Sequence, residues 1–183
     1  MKISVAPLLK EPMGEKAHYD LAESPVDPRG ENAALLGAGI GSIDAHILAT
    51  HTDPGALLEG DVDATVAQEC ARCLRLLASH VRTRFAEQYY AKLHVDTGAS
   101  MPEAPRDAKV IGSDFRIDLT PLLREEVILA VPLAPLCRPD CRGLCPECGV
   151  DLNELPHEHA SAVDERWGAL KGLKVEGGPP PGG

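Results

Sequence analysis

Four cysteines crowd the twelve residues Cys137 to Cys148, in the order Cys137-x3-Cys141-x3-Cys145-x2-Cys148, with Gly149 directly after them. A C-x2-C turn aims two thiolates the same way, and the residues after the first sulfur turn their N–H groups toward it. Gly149 relieves the crowding where the chain leaves, so CPECG at 145–149 is the sharper half of the run. Zn²⁺ takes Cys sulfur at about 2.3 Å in tetrahedral geometry, and a shell of four protein donors has no open position for water. The spacing therefore predicts a zinc-knuckle-like module with a structural role and not a hydrolytic one.

More than one shell is open to the chain. The simplest holds one ion with Cys137, Cys141, Cys145 and Cys148. His157 and His159 lie shortly after Cys148 and can close a mixed Cys2His2 shell, which leaves Cys70 and Cys73 to join Cys137 and Cys141 as a second set. Thiolates alone do not name their metal, so an iron–sulfur cluster also fits, as do metal-free thiols packed as small hydrophobes. Cys70-Ala71-Arg72-Cys73 has the spacing of a redox couple, but that motif normally opens a helix after a strand. Here it falls between two strand patterns. His18, His46, His51, His80 and His94 are scattered and read as ordinary surface or half-buried residues.

The compartment bears on the cysteines. The first residues, MKISVAPLLKEP, carry only a short apolar run interrupted by Pro7, which reads as a strand and not as a signal peptide. No stretch approaches the roughly 20 apolar residues of a membrane helix. The expectation is a cytoplasmic protein in a reducing compartment, where disulfides rarely persist and six cysteines lean toward metal.

The rest of the chain reads as a sheet. Ile43, Ala45, Ile47 and Ala49 alternate with Ser42, Asp44, His46 and Leu48 up to the turn Thr52-Asp53-Pro54-Gly55. A second strand spans 57–69 and a third 76–90, which makes an antiparallel meander. After a polar loop at 94–113, residues 115–119 form a short strand. Thr120 as N-cap and Pro121 at the first position then open a helix with Leu123, Val127 and Val131 on one face, stopped by Pro132. A strand at 1–9, a short helix near 17–22 and a helix at 163–173 complete the reading. The fold class is α+β: an antiparallel meander with one packed helix and a C-terminal cysteine module. The organisation is an N-terminal segment 1–39, a sheet-and-helix body 40–136, a metal module 137–174 and a tail 175–183. Aromatics are only 3% of the chain, so its core is built from Val, Leu, Ile and Ala.

A net charge of −10 does not suit a protein that wraps duplex nucleic acid, whose affinity comes largely from phosphate neutralisation. It suits a basic protein partner, or a local nucleic-acid contact. Arg72, Arg75, Arg82 and Arg84, with Arg138 and Arg142 in the second cysteine group, are the candidate RNA-binding residues. There is no G-x-G-x-x-G, Walker loop, G-x-S-x-G or H-E-x-x-H, so neither an enzyme nor a small-molecule substrate is expected.

The run Asp118-Leu119…Glu125…Ile128-Leu129-Ala130-Val131-Pro132…Pro135-Leu136-Cys137, followed by Cys141-Arg142-Gly143-Leu144-Cys145-Pro146-Glu147-Cys148-Gly149…Leu152-Asn153, resembles the bacterial YceD family. Glu69-Cys70-Ala71-Arg72-Cys73 and Val163-Asp164-Glu165-Arg166-Trp167 resemble it as well, and the likeness covers roughly residues 40 to 174. Family members often show C-x-C where this chain has His157 and His159, which supports those histidines as ligands. The resemblance implies a role in accumulation of large-subunit ribosomal RNA during ribosome assembly, through ribosomal RNA or a basic ribosomal protein. The competing readings are a zinc-stabilised interaction or transcription adaptor, and a thiol redox protein.

Overall fold

The computed structural model describes residues 1–24, 35, 38–157, 159 and 166. The chain divides into two compact units, Met1–Cys141 and Arg142–Gly183.

The first unit is built on long alternating strands: β1 (Lys2–Ser4), α1 (Ala6–Lys10), β2 (Lys16–Glu23), β3 (Ile40–Thr52), β4 (Gly55–Glu69), β5 (Leu76–Ala91), β6 (Lys109–Ile111), β7 (Arg116–Asp118) and α2 (Thr120–Ala130). A five-stranded sheet runs β2-β3-β4-β5-β6. It is antiparallel except for β6, which pairs parallel to β5, and β1 and β7 form a separate antiparallel pair. The α+β class is what the structure has, with a mostly antiparallel sheet and few helices.

Period-2 patterning decides which face is buried. Ile43, Ala45, Ile47 and Ala49 of β3, Leu58, Val62, Ala64 and Val66 of β4, and Val81, Phe85 and Tyr89 of β5 all point to one side. There α2 packs on β5 and β4, burying Leu122, Leu123 and Val127. Backbone and ring approach closely where Gly60 faces Phe85: a Cβ at Gly60 would lie 2.8 Å from Phe85 Cε1 and 2.9 Å from the His46 carbonyl oxygen.

On the opposite, solvent-facing side the register sets charges in rows. Asp20, His46, Asp61 and Arg84 stand directly across from one another on β2, β3, β4 and β5, and Ala22, Asp44, Asp63 and Arg82 form the next row.

Several expectations are corrected. Residues 17–22 are strand and not helix: Ala17, Tyr19 and Leu21 alternate with exposed neighbours and pack on the core. The N-terminal strand stops at Ser4, because Pro7 suits the first turn of a helix and α1 follows, burying Leu8 and Leu9. The loop at 94–113 contains β6. With α1 beside α2, the described residues of the unit carry more than the one helix expected.

Pro121 does sit in the first turn of α2, but the Thr120 side chain does not cap it. Thr120 Oγ1 accepts from the Met1 amino group at 2.5 Å, while Asp118 Oδ1 accepts from the Thr120 N–H at 3.0 Å. The expected helix at 163–173 and tail at 175–183 lie outside the described residues, apart from Arg166.

The second unit is different in kind. Its described part is a tight knuckle at Cys145–Val150, an antiparallel bridge from Leu144 to Asp151, and a return in which the Leu152 N–H donates to the Gly143 carbonyl at 2.9 Å. No aliphatic side chain among its described residues is buried; Cys145 is the buried apolar group there.

Candidate metal centres

Two turns in the chain have one construction. At Cys70 the N–H donates to the Arg75 carbonyl at 2.9 Å, and the Leu74 N–H donates back to the Cys70 carbonyl at 3.0 Å. At Cys145 the N–H donates to the Val150 carbonyl at 2.8 Å, and the Gly149 N–H donates back to the Cys145 carbonyl at 2.8 Å. The fifth residue of each turn is left-handed, with φ +58° at Leu74 and +73° at Gly149. Glycine takes that conformation freely, whereas leucine meets a Cβ clash. Both turns aim N–H groups at their first sulfur. The N–H groups of Cys73 and Cys137 hold the Cys70 thiol down to about 6, and those of Cys148 and Glu147 hold Cys145 down to about 6.

The first centre gathers Cys70, Cys73, Cys137 and Cys141 in unit one. Cys70 Sγ lies 3.8 Å from Cys141 Sγ, and Cys73 Sγ lies 3.6 Å from Cys137 Sγ. A tetrahedron with metal–sulfur bonds of about 2.3 Å has edges of about 3.8 Å, so the separations fit a thiolate shell. The arms of the centre are fastened by long-range bonds. The Ala71 N–H donates to the Pro135 carbonyl at 2.8 Å, the Cys137 N–H to Cys70 Sγ at 3.4 Å, and Arg72 Nη1 to the Cys141 carbonyl at 2.7 Å. Burial, together with the neighbouring thiols, pushes Cys137 up to about 12. Four thiolates this close repel one another, and only a cation at their centre lets all of them ionise.

The second centre gathers Cys145, Cys148, His157 and His159 in unit two. Cys148 Sγ stands 3.1 Å from His157 Nε2 and 3.4 Å from His159 Nε2, and the two Nε2 atoms are 3.0 Å apart. Each imidazole has its other nitrogen engaged. His157 Nδ1 lies 2.9 Å from the Leu155 carbonyl, and His159 Nδ1 lies 3.4 Å from Glu147 Oε2. Such partners take the Nδ1 proton and leave Nε2 free to ligate, the usual second layer around a metal-binding histidine. The donor chemistry fits a metal ion here too.

The four clustered cysteines therefore do not form one set: Cys137 and Cys141 join Cys70 and Cys73, while Cys145 and Cys148 join the histidines. Each set of donor atoms lies within 4.8 Å and could hold a metal ion.

The arginines do not form one bare patch. Arg82 Nε sits 2.7 Å from Asp63 and Arg84 Nε 3.1 Å from Asp61, both on the exposed sheet face. Arg138 lies 3.5 Å from Asp140, and Arg72 braces the first centre. Arg75 is exposed in unit one, and Arg142 is exposed in unit two, its N–H bonded to Asn153 Oδ1. Phe85 and Tyr89 belong to the core. The sequence reading missed the pairing of Asp61 and Asp63 with the arginines. The signal was available, since a hairpin folded about Cys70–Cys73 puts those residues opposite one another.

The fold and its donors define a class: an α+β sheet protein carrying two Cys/His sets able to hold metal. Comparison with known proteins makes this more specific. The chain belongs to the YceD family, described as "Large ribosomal RNA subunit accumulation protein YceD", which it matches over residues 58–174. It is similar to uncharacterized proteins of Mycobacterium tuberculosis and Mycobacterium bovis, 31% identical over 171 residues, covering 93% of this chain and 79% of each relative. An uncharacterized Mycobacterium leprae protein is 35% identical over 114 residues, 62% of this chain and 51% of its own length. No solved structure matches the chain significantly. No helix among the described residues is long and apolar enough to cross a membrane.

Proposed function

We propose that this protein is a non-enzymatic ribosome-biogenesis factor of the cytoplasm that promotes large-subunit RNA accumulation by binding a basic ribosomal protein, with zinc as a structural ion in both centres. Family membership carries the ribosomal part of this reading. The charge on the solvent-facing sheet supports the partner. Asp20, Asp44, Glu59, Asp61 and Asp63 stand on that face, and its two arginines are already engaged by aspartates. A face so arranged is complementary to cations and repels phosphate. RNA then contacts the complex mainly through the partner, with Arg72, Arg75, Arg138 and Arg142 as the candidate arginines outside those rows. Zinc is favoured over other metals by two sets of four thiolate and imidazole donors, the number and kind that a tetrahedral zinc shell takes. Four protein donors close each shell, which suits scaffolding and not catalysis.

The test is co-sedimentation of the tagged protein with large-subunit precursors, together with large-subunit RNA levels in a deletion strain. Association and a fall in that RNA are expected. The triple change Asp44→Lys, Asp61→Lys and Asp63→Lys is expected to abolish association while the protein stays folded. Normal ribosome profiles on deletion, with no ribosomal protein or RNA retained, overturn the reading.

A further inference from the structure

The two centres rest on very different supports. The first joins segments 64 to 71 residues apart and sits at the end of a sheet with its own hydrophobic core. Three of its four cysteines are buried. That core, with Leu58, Val62, Leu123 and Val127 fully buried, is independent of the four cysteines. The second centre draws all its donors from residues 145 to 159. Cys148 and His159 are exposed. Around it lie short local hydrogen bonds and half-buried or exposed apolar groups: Leu144, Val150 and Leu152 are partly exposed, and Leu155 is 66% exposed. A segment of this size with no buried aliphatic side chain cannot offset the conformational entropy of ordering it, roughly 1–2 kcal/mol per residue for the backbone alone. Something other than a hydrophobic core has to hold it, and the converging Sγ and Nε2 atoms are what it has.

We infer that Cys145, Cys148, His157 and His159 form an exchangeable zinc site whose ion supplies the fold of residues 142–157, whereas the Cys70, Cys73, Cys137 and Cys141 centre keeps its ion. The inference rests on the zinc reading above. Ion exchange at the second centre is fast because a competing ligand reaches the metal beside Cys148 and His159, and because leaving costs no packed core. Glu147 acts as a positioning residue, holding the His159 ring through Nδ1. The fold of 142–157 is thereby conditional on zinc, whereas the body has a hydrophobic core of its own.

The experiment uses the full chain loaded with zinc, a competing chelator and a chromogenic zinc indicator. Two phases of one ion each are expected. Cys148→Ser removes the fast phase and leaves one ion per chain, and Cys73→Ser leaves the fast phase in place. Glu147→Ala speeds the fast phase by about 10–100-fold, the range for losing a partner of a ligating histidine, and leaves the slow phase unchanged. Hydrogen exchange followed through the fast phase loses protection at 142–157 while 40–91 stay protected, a readout that stands even if a variant folds poorly. Release of both ions in a single phase, or continued protection of 142–157 after the fast ion has left, overturns the inference while the zinc reading survives. A purified chain holding no zinc overturns both.

Discussion

Cys70–Arg75 and Cys145–Val150 make the same turn with the same two backbone hydrogen bonds, yet the chain around them differs completely. The first closes a hairpin whose strands, β4 and β5, run 15 and 16 residues and carry the core on their inner face. The second is surrounded by described residues that bury no aliphatic side chain. A knuckle, then, is a local backbone solution, and what it does for stability depends on what is attached to it. In the body the metal donors lock together segments that already pack. In the second unit the donors are themselves the packing.

The largest effect expected comes from a ligand of the first centre. Cys141→Ser should cost on the order of 4 kcal/mol in urea unfolding of the body, in the tail of effects where loss of a metal belongs. Cys148→Ser should leave the body's midpoint where it is. Equal losses from both would break the contrast. Leu58→Ala, which empties a fully buried site on β4, should cost about 3 kcal/mol of the same transition. Leu155→Ala in the second unit should be close to silent, since that side chain is mostly exposed.

A smaller change sharpens the comparison of the knuckles themselves. Leu74→Gly gives the first turn the residue the second already has and should raise thermal stability by about 0.5–1 kcal/mol, by relieving the left-handed leucine. No gain would mean that Leu74 makes contacts that outweigh its backbone strain.

The smallest effect lies on the outer sheet face. His46 Nδ1 is 2.6 Å from Asp20 Oδ1, and that hydrogen bond, with the charge behind it, raises the imidazole above its ordinary 6.5. Because the folded value is the higher one, the contribution is fully present below 6.5 and is lost as pH rises through the raised value. NMR titration should find His46 above 6.5, and Asp20→Asn should bring it back down.

Much of the sheet was legible because alternation of apolar and polar residues needs no partner to be recognised: β3, β4, β5 and β7 follow from it, and Pro121 and Pro132 bracket α2. Residues 17–22 were misread because Ala17, Tyr19 and Leu21 give a short, weak period that an edge strand and a helix turn share. Thr120 looked like a cap because its residue type suits one, but the Met1 amino group, 119 positions away, takes its hydroxyl. The six cysteines, His157 and His159 were identifiable as candidate donors. Their division was not, since Cys137 stands close in sequence to Cys145 and far from Cys73.

Residue type and spacing alone determined that the thiols of Cys70 and Cys73, and of Cys145 and Cys148, would pair within tight turns, because a C-x2-C turn is set by its own backbone. Only the tertiary structure decided which pairs meet. The hairpin register brings Cys70 and Cys73 to the end of the sheet, and α2 delivers Cys137 and Cys141 to the same place. Long-range packing, and not local geometry, chose the partners there. Among the described residues of the second unit no such packing intervenes, and neighbours in sequence became neighbours in space.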